Sequence, residues 1–207
     1  MMETNKTAKG VGYMSESDAS KPRCFGDGAG HEILAAYHDT EWGVPVHDDR
    51  LLFEMLTLEG AQAGLNWEIV LKKRAGYKRA FHDFDVQKVI SMSDAELDIL
   101  RENTAIIRNR LKIYSVRKNA AVIFDIQKEY GSFANYLWQF VDGKQIKNSF
   151  ASLDGMPATT PLSDAISTDL KKRGMSFVGS TIIYAFIQGV GLIDDHITAC
   201  WRYHGGH

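Results

Sequence analysis

The sequence contains few of the features that are typical of secreted or membrane proteins. It has only two cysteines among its 207 residues, Cys24 and Cys200, which stand at opposite ends of the region that we expect to fold. The N-terminal residues include no apolar core of signal-peptide length, so we expect a cytoplasmic protein. The long uncharged run 175–193 is interrupted by polar residues and glycines. It therefore predicts a buried turn and helix rather than a membrane span.

An excess of positive charge, which is common in nucleic-acid-binding proteins, is also missing, because the formal net charge at pH 7 is -2. Basic residues are nevertheless grouped, and local groups outweigh net charge when a protein contacts one short face of a duplex. Taken singly, each group is more typical of a solvated helix face. The groups are Lys72–Arg74, Arg108–Lys112, Arg117–Lys118 and Lys171–Arg173.

Apolar residues recur mostly at helical spacing, and the sequence predicts an all-α protein. A chain of this length with 44% hydrophobic residues can form one domain or two small lobes around a cleft. We expect a flexible tail at 1–22, the domain at 23–202 and a short C-terminal tail at 203–207. The run 141–161 has no helical period and is predicted to connect the lobes. Helix caps are predicted at Asp48 or Asp49, at Asn66, at Ser93, and at Ser163 or Asp164.

The segment 37–67 combines aromatic, carboxylate and imidazole side chains around one predicted helix, and we interpret it as the wall of a pocket. Glu59 lies on or next to the apolar side of this helix. A carboxylate at such a position is costly unless it is paired or meets a ligand. Glu59 is therefore either a satisfied structural acid or a functional one. Gly60 and Gly64 lower helix propensity just before Trp67, where we expect a loop.

A short apolar turn separates two predicted helices between residues 170 and 190. Gly174 is placed to end the first helix in a left-handed conformation, and the second begins near Ser180. This is the outline of a helix-hairpin-helix motif, whose turn amides and following helix N-terminus can face a DNA phosphate. A plain pair of packed helices would have the same pattern. The candidate DNA-contacting residues are Gly174, Phe177, Val178, Gly179 and Ser180.

Each cysteine has a histidine within reach. His196 and Cys200 are four residues apart, so on a helix they would project from one face as half of a tetrahedral zinc site. Cys24 and His38 could supply the other half, although thirteen residues lie between them. Two buried free thiols are the alternative in a cytoplasmic chain. Four protein ligands would leave no open coordination position, which indicates a structural metal rather than a catalytic one.

Several short motifs follow one another in order along the chain: Tyr37–Asp39, Glu41–Pro45, Leu58–Gly60, Gln62–Leu65, Trp67, Leu71–Arg74, Leu170–Gly174, Phe177–Gly179 and Asp195–His196. Together they resemble the DNA-3-methyladenine glycosylase I family over about residues 23–202. The resemblance implies an all-α, helix-hairpin-helix DNA glycosylase fold in which zinc staples the N- and C-terminal segments into one lobe. On the matching positions it implies one structural Zn2+ per chain, bound by Cys24, His38, His196 and Cys200.

The activity that the resemblance implies is removal of N3-methyladenine from alkylated double-stranded DNA by hydrolysis of its N-glycosidic bond, which leaves an abasic site. A base inside a duplex cannot be reached, so the nucleotide must be flipped into a pocket. We expect Trp67 to be the stacking surface and Tyr37 and Trp42 to line the pocket. Glu59, as the catalytic carboxylate, would accept hydrogen bonds from the base and favour its cationic state.

We also expect a monomer and a monofunctional glycosylase, because no lysine inside the pocket motif could act as a Schiff-base nucleophile. Related helix-hairpin-helix glycosylases place a catalytic aspartate soon after the hairpin, near the position of Asp194 and Asp195. A helix N-cap or a partner of the zinc-binding His196 explains these two acids better. The alternative to an enzyme is a non-catalytic, zinc-stapled DNA-damage or purine-binding module. A zinc hydrolase would need an open metal position.

Overall fold

The computed structural model describes residues 21–205, which form a predominantly helical fold, as the sequence predicts. The predicted N-terminal tail, apart from its last two residues, lies outside the described residues. The α-helices are α1 (Glu32–Thr40), α2 (Asp49–Gln62), α3 (Trp67–Ala80), α4 (Val86–Ser91), α5 (Asp94–Leu100), α6 (Arg110–Tyr130), α7 (Phe133–Trp138), α8 (Pro161–Lys172) and α9 (Ser180–Gly189). Short 3-10 turns lie at His82–Phe84, Gln139–Val141, Leu153–Gly155 and Tyr203–Gly205.

Side-chain caps determine where several helices begin. Asp48 begins α2, Asn66 begins α3 and Ser93 begins α5, each by accepting a hydrogen bond from a backbone N–H of the first turn. Ser93 also forms the predicted capping box with Glu96. Asp49, the other candidate for α2, instead accepts hydrogen bonds from the first turn of α7. The predicted caps of these three helices are therefore confirmed.

The start of α8 differs from the prediction. Thr160, rather than Ser163 or Asp164, is the N-cap, and it exchanges hydrogen bonds with Ser163 at 3.1 Å and 2.8 Å. Pro161 occupies the first helical position, where its missing N–H is not needed and its fixed φ favours the helix. The prediction was wrong because it assigned Pro161 to the irregular connection instead of to the helix.

Helix α2 lies at the centre of the fold and packs against α3, α6, α7 and α9. Every residue of α2 from 52 to 61 is buried, so this helix is enclosed on all sides instead of along one stripe. The enclosure carries Glu54 and Glu59 into the interior along with the apolar side chains. No helix in the part of the chain that the structure describes is long and apolar enough to cross a membrane.

A short parallel pairing, which the sequence did not predict, joins the segment after α7 to the segment after α9. Strand β1 (Ile146–Lys147) pairs with β2 (Ile193–Asp194), and a bridge between Phe150 and Ile197 continues the same alignment. The irregular connection 141–161 is thereby fixed alongside the segment that carries Asp194 and His196.

The two ends of the described chain also meet. Trp201 N donates a hydrogen bond to Pro22 O at 2.9 Å, which joins the segment before α1 to the segment after β2. Within the predicted C-terminal tail 203–207, the Tyr203 hydroxyl lies 2.6 Å from the Ser149 hydroxyl. The start of that tail therefore contacts the end of the β1 segment.

Candidate active site and metal cluster

A cavity of about 470 Å³ opens between α1, α2, α3 and the last turns of α9. A volume of this order is typical of small-molecule sites and can hold a purine. The structure brings together here all the side chains that were predicted for the base pocket, namely Tyr37, Trp42, Glu59 and Trp67. The other lining residues are Phe25, Leu34, Gln62, Asn66, Leu153, Met156, Ala185 and Gln188.

Glu59 is the buried acid of this cavity, and only 5% of its surface is exposed. Its carboxyl group forms no hydrogen bond or ion pair with any residue in the range 21–205. Burial raises the pKa of its carboxyl group to about 8. A satisfied structural acid would accept hydrogen bonds from the protein, and this carboxyl group accepts none from the described residues. The carboxyl group is thus left for a ligand in the cavity.

The Tyr37 ring lies beside Glu59 and forms one wall of the cavity. Its centroid is 5.4 Å from that of Trp67, and the two rings meet edge to face. Burial, together with the nearby negative charge of Glu59, raises the pKa of the Tyr37 hydroxyl well above its usual value. The wall therefore combines a neutral phenol with an aromatic surface. Trp67 adds a buried indole N–H that has no hydrogen-bond partner among the described residues.

Trp42 lies between the cavity and a cluster of sulfur and imidazole groups. Its ring centroid is 4.6 Å from that of His196 and 5.9 Å from that of His38. It is also 5.1 Å from the ring of Phe25, which lines the cavity on the same side. One tryptophan thus contacts both sites.

Some cavity residues were not predicted from the sequence. Phe25 follows Cys24, and its packing against Tyr37 and Trp42 depends on how the N-terminal segment folds back. Leu153 and Met156 come from the irregular connection, where no periodic pattern indicates which side chains turn inward. Gln188 lies on the last turn of α9. In the sequence, its neighbour Gly189 is the residue that could have indicated close packing at this point.

Three of the predicted metal ligands, Cys24, His38 and Cys200, have ligand atoms within 4.8 Å of one another. This group could hold a metal ion, and its sulfur and nitrogen donors suit zinc. The fourth predicted ligand, His196, is not in that tight group, but its ring centroid lies 5.1 Å from that of His38. Its Nε2 is buried and has no hydrogen-bond partner among the described residues. A buried imidazole nitrogen that has no hydrogen-bond partner could supply the fourth ligand to a metal.

Carboxylates orient both histidines. The Nδ1 atom of His38 lies 2.9 Å from Asp39 Oδ1, and that of His196 lies 2.7 Å from Asp194 Oδ1. Burial would raise the pKa of Asp39, but hydrogen bonds from Arg23, His38 and a tryptophan outweigh it and lower the pKa to about 2. A carboxylate on one imidazole nitrogen directs the other nitrogen toward a metal. Asp194 therefore acts as a partner of His196, as the sequence favoured.

One geometric premise of the metal prediction was wrong. Residues 196–200 form a turn, closed by a 2.8 Å hydrogen bond from Cys200 N to Ile197 O, and not a helix. Neither Asp194 nor Asp195 therefore caps a helix at this point. The turn still brings Cys200 to the cluster, so the predicted ligand set does not depend on helical spacing.

The turn between α8 and α9 has the predicted outline. Gly174 has a φ of 103°, and Phe177 is left-handed with a φ of 58°. Helix α6 holds the turn, because the Asn119 side chain exchanges two hydrogen bonds of 2.9 Å with the backbone of Ser176. A methyl group added at Gly179 would meet nothing within 4 Å, so its backbone faces open space.

Two of the candidate DNA-contacting side chains are occupied within the protein. Val178 is 1% exposed, so only its backbone could meet a ligand. The Ser180 hydroxyl lies 2.9 Å from that of Ser163 and also donates to the Asp164 carboxylate. At these two residues a phosphate could therefore meet only backbone N–H groups.

The basic groups noted in the sequence are partly structural. Arg74 pairs with Glu54 at 2.6 Å and with Glu41 at 2.7 Å. Arg173 donates to Asp169 and Glu129, each at 2.6 Å. These two arginines hold helices together, and the expectation that their whole groups face solvent was wrong.

A second cavity, of about 630 Å³, lies between α6 and the hairpin turn. It is larger than the first but has no acidic lining residue and no buried unpaired group. Its lining includes Tyr114, Arg117, Lys118 and Ser176. Of these two cavities, the one around Glu59 combines aromatic walls with a buried acid.

Comparison with known proteins agrees with this geometry. A model of the methyladenine glycosylase family matches residues 28–203. A DNA-3-methyladenine glycosylase of Haemophilus influenzae is 44% identical over 168 residues, which cover 81% of this chain and 91% of that protein. A crystal structure of a 3-methyladenine DNA glycosylase I has a TM-score of 0.83 and 47% identity, and covers 87% of this chain and 98% of its own. A variant of 3-methyladenine DNA glycosylase I in complex with 3-methyladenine has a TM-score of 0.81 and 31% identity, covering 84% and 94%. The protein therefore belongs to the methyladenine glycosylase family.

Proposed function

We propose that this protein is a DNA repair glycosylase that flips N3-methyladenine out of alkylated double-stranded DNA and hydrolyses its N-glycosidic bond, leaving an abasic site. One observation carries the proposal: the carboxyl group of Glu59 is buried in an aromatic cavity and is bonded to no described residue. Family membership and the relative that was solved with 3-methyladenine support the same substrate.

The charge of the substrate explains the role of Glu59. An adenine that is alkylated at N3 within DNA carries a positive charge, whereas unmodified adenine is neutral. A cation in the cavity favours the ionised carboxylate, and this attraction is strong because the site is shielded from water. As the glycosidic bond breaks, its electron pair passes to the base and the positive charge moves to the sugar, where Glu59 continues to stabilise it. Water then adds to the sugar carbon and releases one proton to the solvent, which leaves a neutral abasic sugar and the free base.

The aromatic walls account for capture of the flipped base. Stacking of a base on an aromatic side chain contributes about 1–3 kcal/mol. Trp67 offers the principal face, and the edge-to-face contact with Tyr37 fixes the angle between the two walls. Binding of this kind tolerates any purine, so the walls provide grip while Glu59 provides discrimination.

We expect simple hydrolysis without a covalent intermediate. No lysine is among the residues that line the cavity. Lys72, which follows Trp67 in the same helix, α3, pairs with Glu68 at 2.6 Å. Because none of the described residues that line the cavity offers an amine for a Schiff base, borohydride should not trap an enzyme–DNA adduct, and recovery of such an adduct would contradict a monofunctional mechanism.

The hairpin between α8 and α9 is our candidate for the duplex contact. The open backbone at Gly179 and the N-terminus of the ten-residue helix α9 can present N–H groups to a phosphate. Such a contact is independent of base sequence, as a protein that searches for lesions requires. We expect the protein to act on double-stranded DNA as a monomer in the cytoplasm, in line with the sequence predictions.

A structural zinc ion fits the sulfur and imidazole cluster. Cys24, His38, His196 and Cys200 would hold it, and the unpartnered Nε2 of His196 supports the fourth bond. When bound, a four-ligand zinc supplies a cross-link and no reactive water. Tyr37 precedes a ligand directly in the chain, so the cross-link would also hold one wall of the cavity in place.

The proposed activity is tested by incubating the protein with methylated duplex DNA and identifying the released bases by chromatography. We expect free N3-methyladenine together with an equal number of abasic sites. A non-catalytic damage-binding or purine-binding module would retain the DNA and release nothing. Glu59→Gln, with the exposed Glu102→Gln as matched control, separates loss of the buried carboxylate from a general effect of removing a charge.

A further inference from the structure

Gln188 lines the cavity from the last turn of α9, and a buried carboxylate holds its side-chain amide from behind. Its Nε2 donates a hydrogen bond to Asp195 Oδ2 at 2.8 Å and lies 3.8 Å from Met156 Sδ. Its Oε1 forms no hydrogen bond within residues 21–205. The nitrogen end of the amide is therefore engaged, and the oxygen end is left as a free acceptor.

Asp195 is well suited to fixing this orientation. It is 1% exposed, and it also accepts hydrogen bonds from the Tyr184 hydroxyl at 2.6 Å and from Asn148 Nδ2 at 2.7 Å. A carboxylate offers only acceptors, so it bonds the NH2 group of a neighbouring amide and excludes the C=O. A half-turn of the Gln188 amide would set two oxygens against each other and lose a buried hydrogen bond.

We propose that Gln188 distinguishes adenine from guanine in the flipped base by accepting a hydrogen bond at the 6-position, and that Asp195 is the positioning residue that keeps it an acceptor. The inference deepens the proposed function and rests on it. Adenine has an NH2 donor at the 6-position, whereas guanine has a carbonyl acceptor. The fixed Oε1 pairs with the first and leaves the second without a partner in a site that excludes water.

The other groups of the cavity distinguish adenine from guanine less strictly. N3-methylguanine in DNA carries the same methyl group and the same positive charge as N3-methyladenine, so charge and stacking favour both. Glu59 can accept a hydrogen bond as a carboxylate or donate one as an acid. Gln188 is the polar side chain that α9 contributes to the cavity lining, and its hydrogen bond to Asp195 fixes the polarity of its amide.

The test measures both bases released from one sample of methylated duplex DNA, so that the ratio of N3-methylguanine to N3-methyladenine is internally controlled. In Asp195→Asn the new amide can donate to Gln188 Oε1, which turns the Gln188 NH2 group toward the base. We expect this ratio to rise about tenfold. Gln188→Met keeps the length of the side chain but removes its polarity. It should lower N3-methyladenine release about tenfold and leave N3-methylguanine release unchanged.

The double variant, Asp195→Asn with Gln188→Met, should lose the gain in N3-methylguanine release, because the effect of Asp195 acts through Gln188. Asp169→Asn is the matched control: its carboxylate also accepts from a tyrosine hydroxyl, that of Tyr136 at 2.7 Å, but its partners Tyr136 and Arg173 do not line the cavity. Its ratio should equal that of the parent. Melting temperature and metal content are recorded for each variant, since Asp195 precedes His196.

An unchanged ratio in a folded Asp195→Asn protein would overturn the proposal, as would a gain that persists in the double variant. If Asp195→Asn does not fold, Gln188→Met decides alone, and an equal loss of both bases would count against the proposal. Failure of the parent protein to release any base would instead overturn the proposed function, and this inference with it.

Discussion

Gly189 lies directly against the hydroxyl of Tyr37: a methyl group added at Gly189 would stand 2.9 Å from Tyr37 Oη. It would also lie 3.3 Å from Met55 Cε and 3.7 Å from Glu59 Oε1. A glycine on the last turn of α9 thus leaves the space in which the phenol and the carboxylate meet. The cavity depends on this close approach as much as on its aromatic walls.

Substitution of this glycine should damage the site more than the fold. In Gly189→Ala the new methyl group would push the Tyr37 ring toward the cavity. We expect at least about a tenfold loss of base release, with a stability loss of about 1–3 kcal/mol from overpacking. Base release and urea unfolding measure the two effects. Gly155→Ala, where an added methyl group meets nothing within 4 Å, is the control and should behave like the parent.

Removal of the Glu59 charge should weaken the preference of the cavity for a cationic base. Glu59→Gln keeps the size of the side chain but cannot neutralise a cationic base, so release of N3-methyladenine should fall by about a hundredfold or more. The fold and the metal content should survive. Single-turnover base release from methylated duplex DNA measures the effect. Parent-like release from a folded, metal-loaded Glu59→Gln protein would make Glu59 a structural acid.

The same substitution should change how stability depends on pH. The native pKa of Glu59, about 8, lies above the ordinary value of 4.5 for this group, so the folded state binds this proton more tightly than the unfolded state does. Its contribution to stability is therefore lost as pH rises from about 4.5 to about 8. Glu59→Gln lacks this loss. Relative to the parent it should gain up to about 5 kcal/mol across that interval.

This pH effect is read from urea unfolding of both proteins at several pH values. The exposed Glu102→Gln, which removes a carboxylate from the surface, should follow the parent at every pH. A constant difference between Glu59→Gln and the parent from pH 4.5 to pH 8 would show that the carboxyl group is already ionised when buried.

Loss of the metal should lower folding stability more than it lowers the rate of base release. Purified protein should contain about one zinc per chain, and Cys200→Ser or His196→Ala should lower both the zinc content and the melting temperature. His47→Ala is the matched control, because His47 stacks on Trp138 outside the cluster. Elemental analysis and thermal unfolding, with and without a chelator, provide the measurements. Metal-free protein of unchanged stability would refute the zinc assignment.

Substitution by alanine should change stability at one glycine of the hairpin and not at another. Gly174 has a φ of 103° and open space around it, so Gly174→Ala should cost about 1–2 kcal/mol through backbone strain alone. Gly179 has a φ of -62° and equally open space, so Gly179→Ala should leave stability unchanged. If Gly179 meets a phosphate, this second variant should bind duplex DNA more weakly. Unfolding curves and DNA titrations at fixed salt distinguish the two.

Local chemistry explains which parts of the fold could be predicted from the sequence. Asn66 and Ser93 cap their own helices, and Gly174 ends one, because those interactions involve only neighbouring residues. Thr160 was missed since Pro161 also reads as a loop residue, and only the packing of α8 decides between the two. The β1–β2 pairing depends on residues nearly fifty positions apart, which no short pattern records.

The site was predictable where its residues share one segment. Tyr37, Trp42, Glu59 and Trp67 lie within thirty-one consecutive positions, and the structure places all of them on one cavity. Gln188 was missed because its importance comes from Asp195, which is beyond the end of the same helix. Contacts of that kind arise only when the chain has folded.

The hydrogen bond between Trp201 N and Pro22 O has a mechanical consequence. It lies beside the sulfur and imidazole cluster, where Cys24 and Cys200 also meet. The chain from 22 to 201 is therefore closed into a ring at two adjacent points. Neither the N-terminal nor the C-terminal segment can detach alone, because release of one segment also releases the other. Thermal opening of the N-terminal segment is thereby coupled to that of the C-terminal turn, and proteolytic cleavage near either end should loosen both.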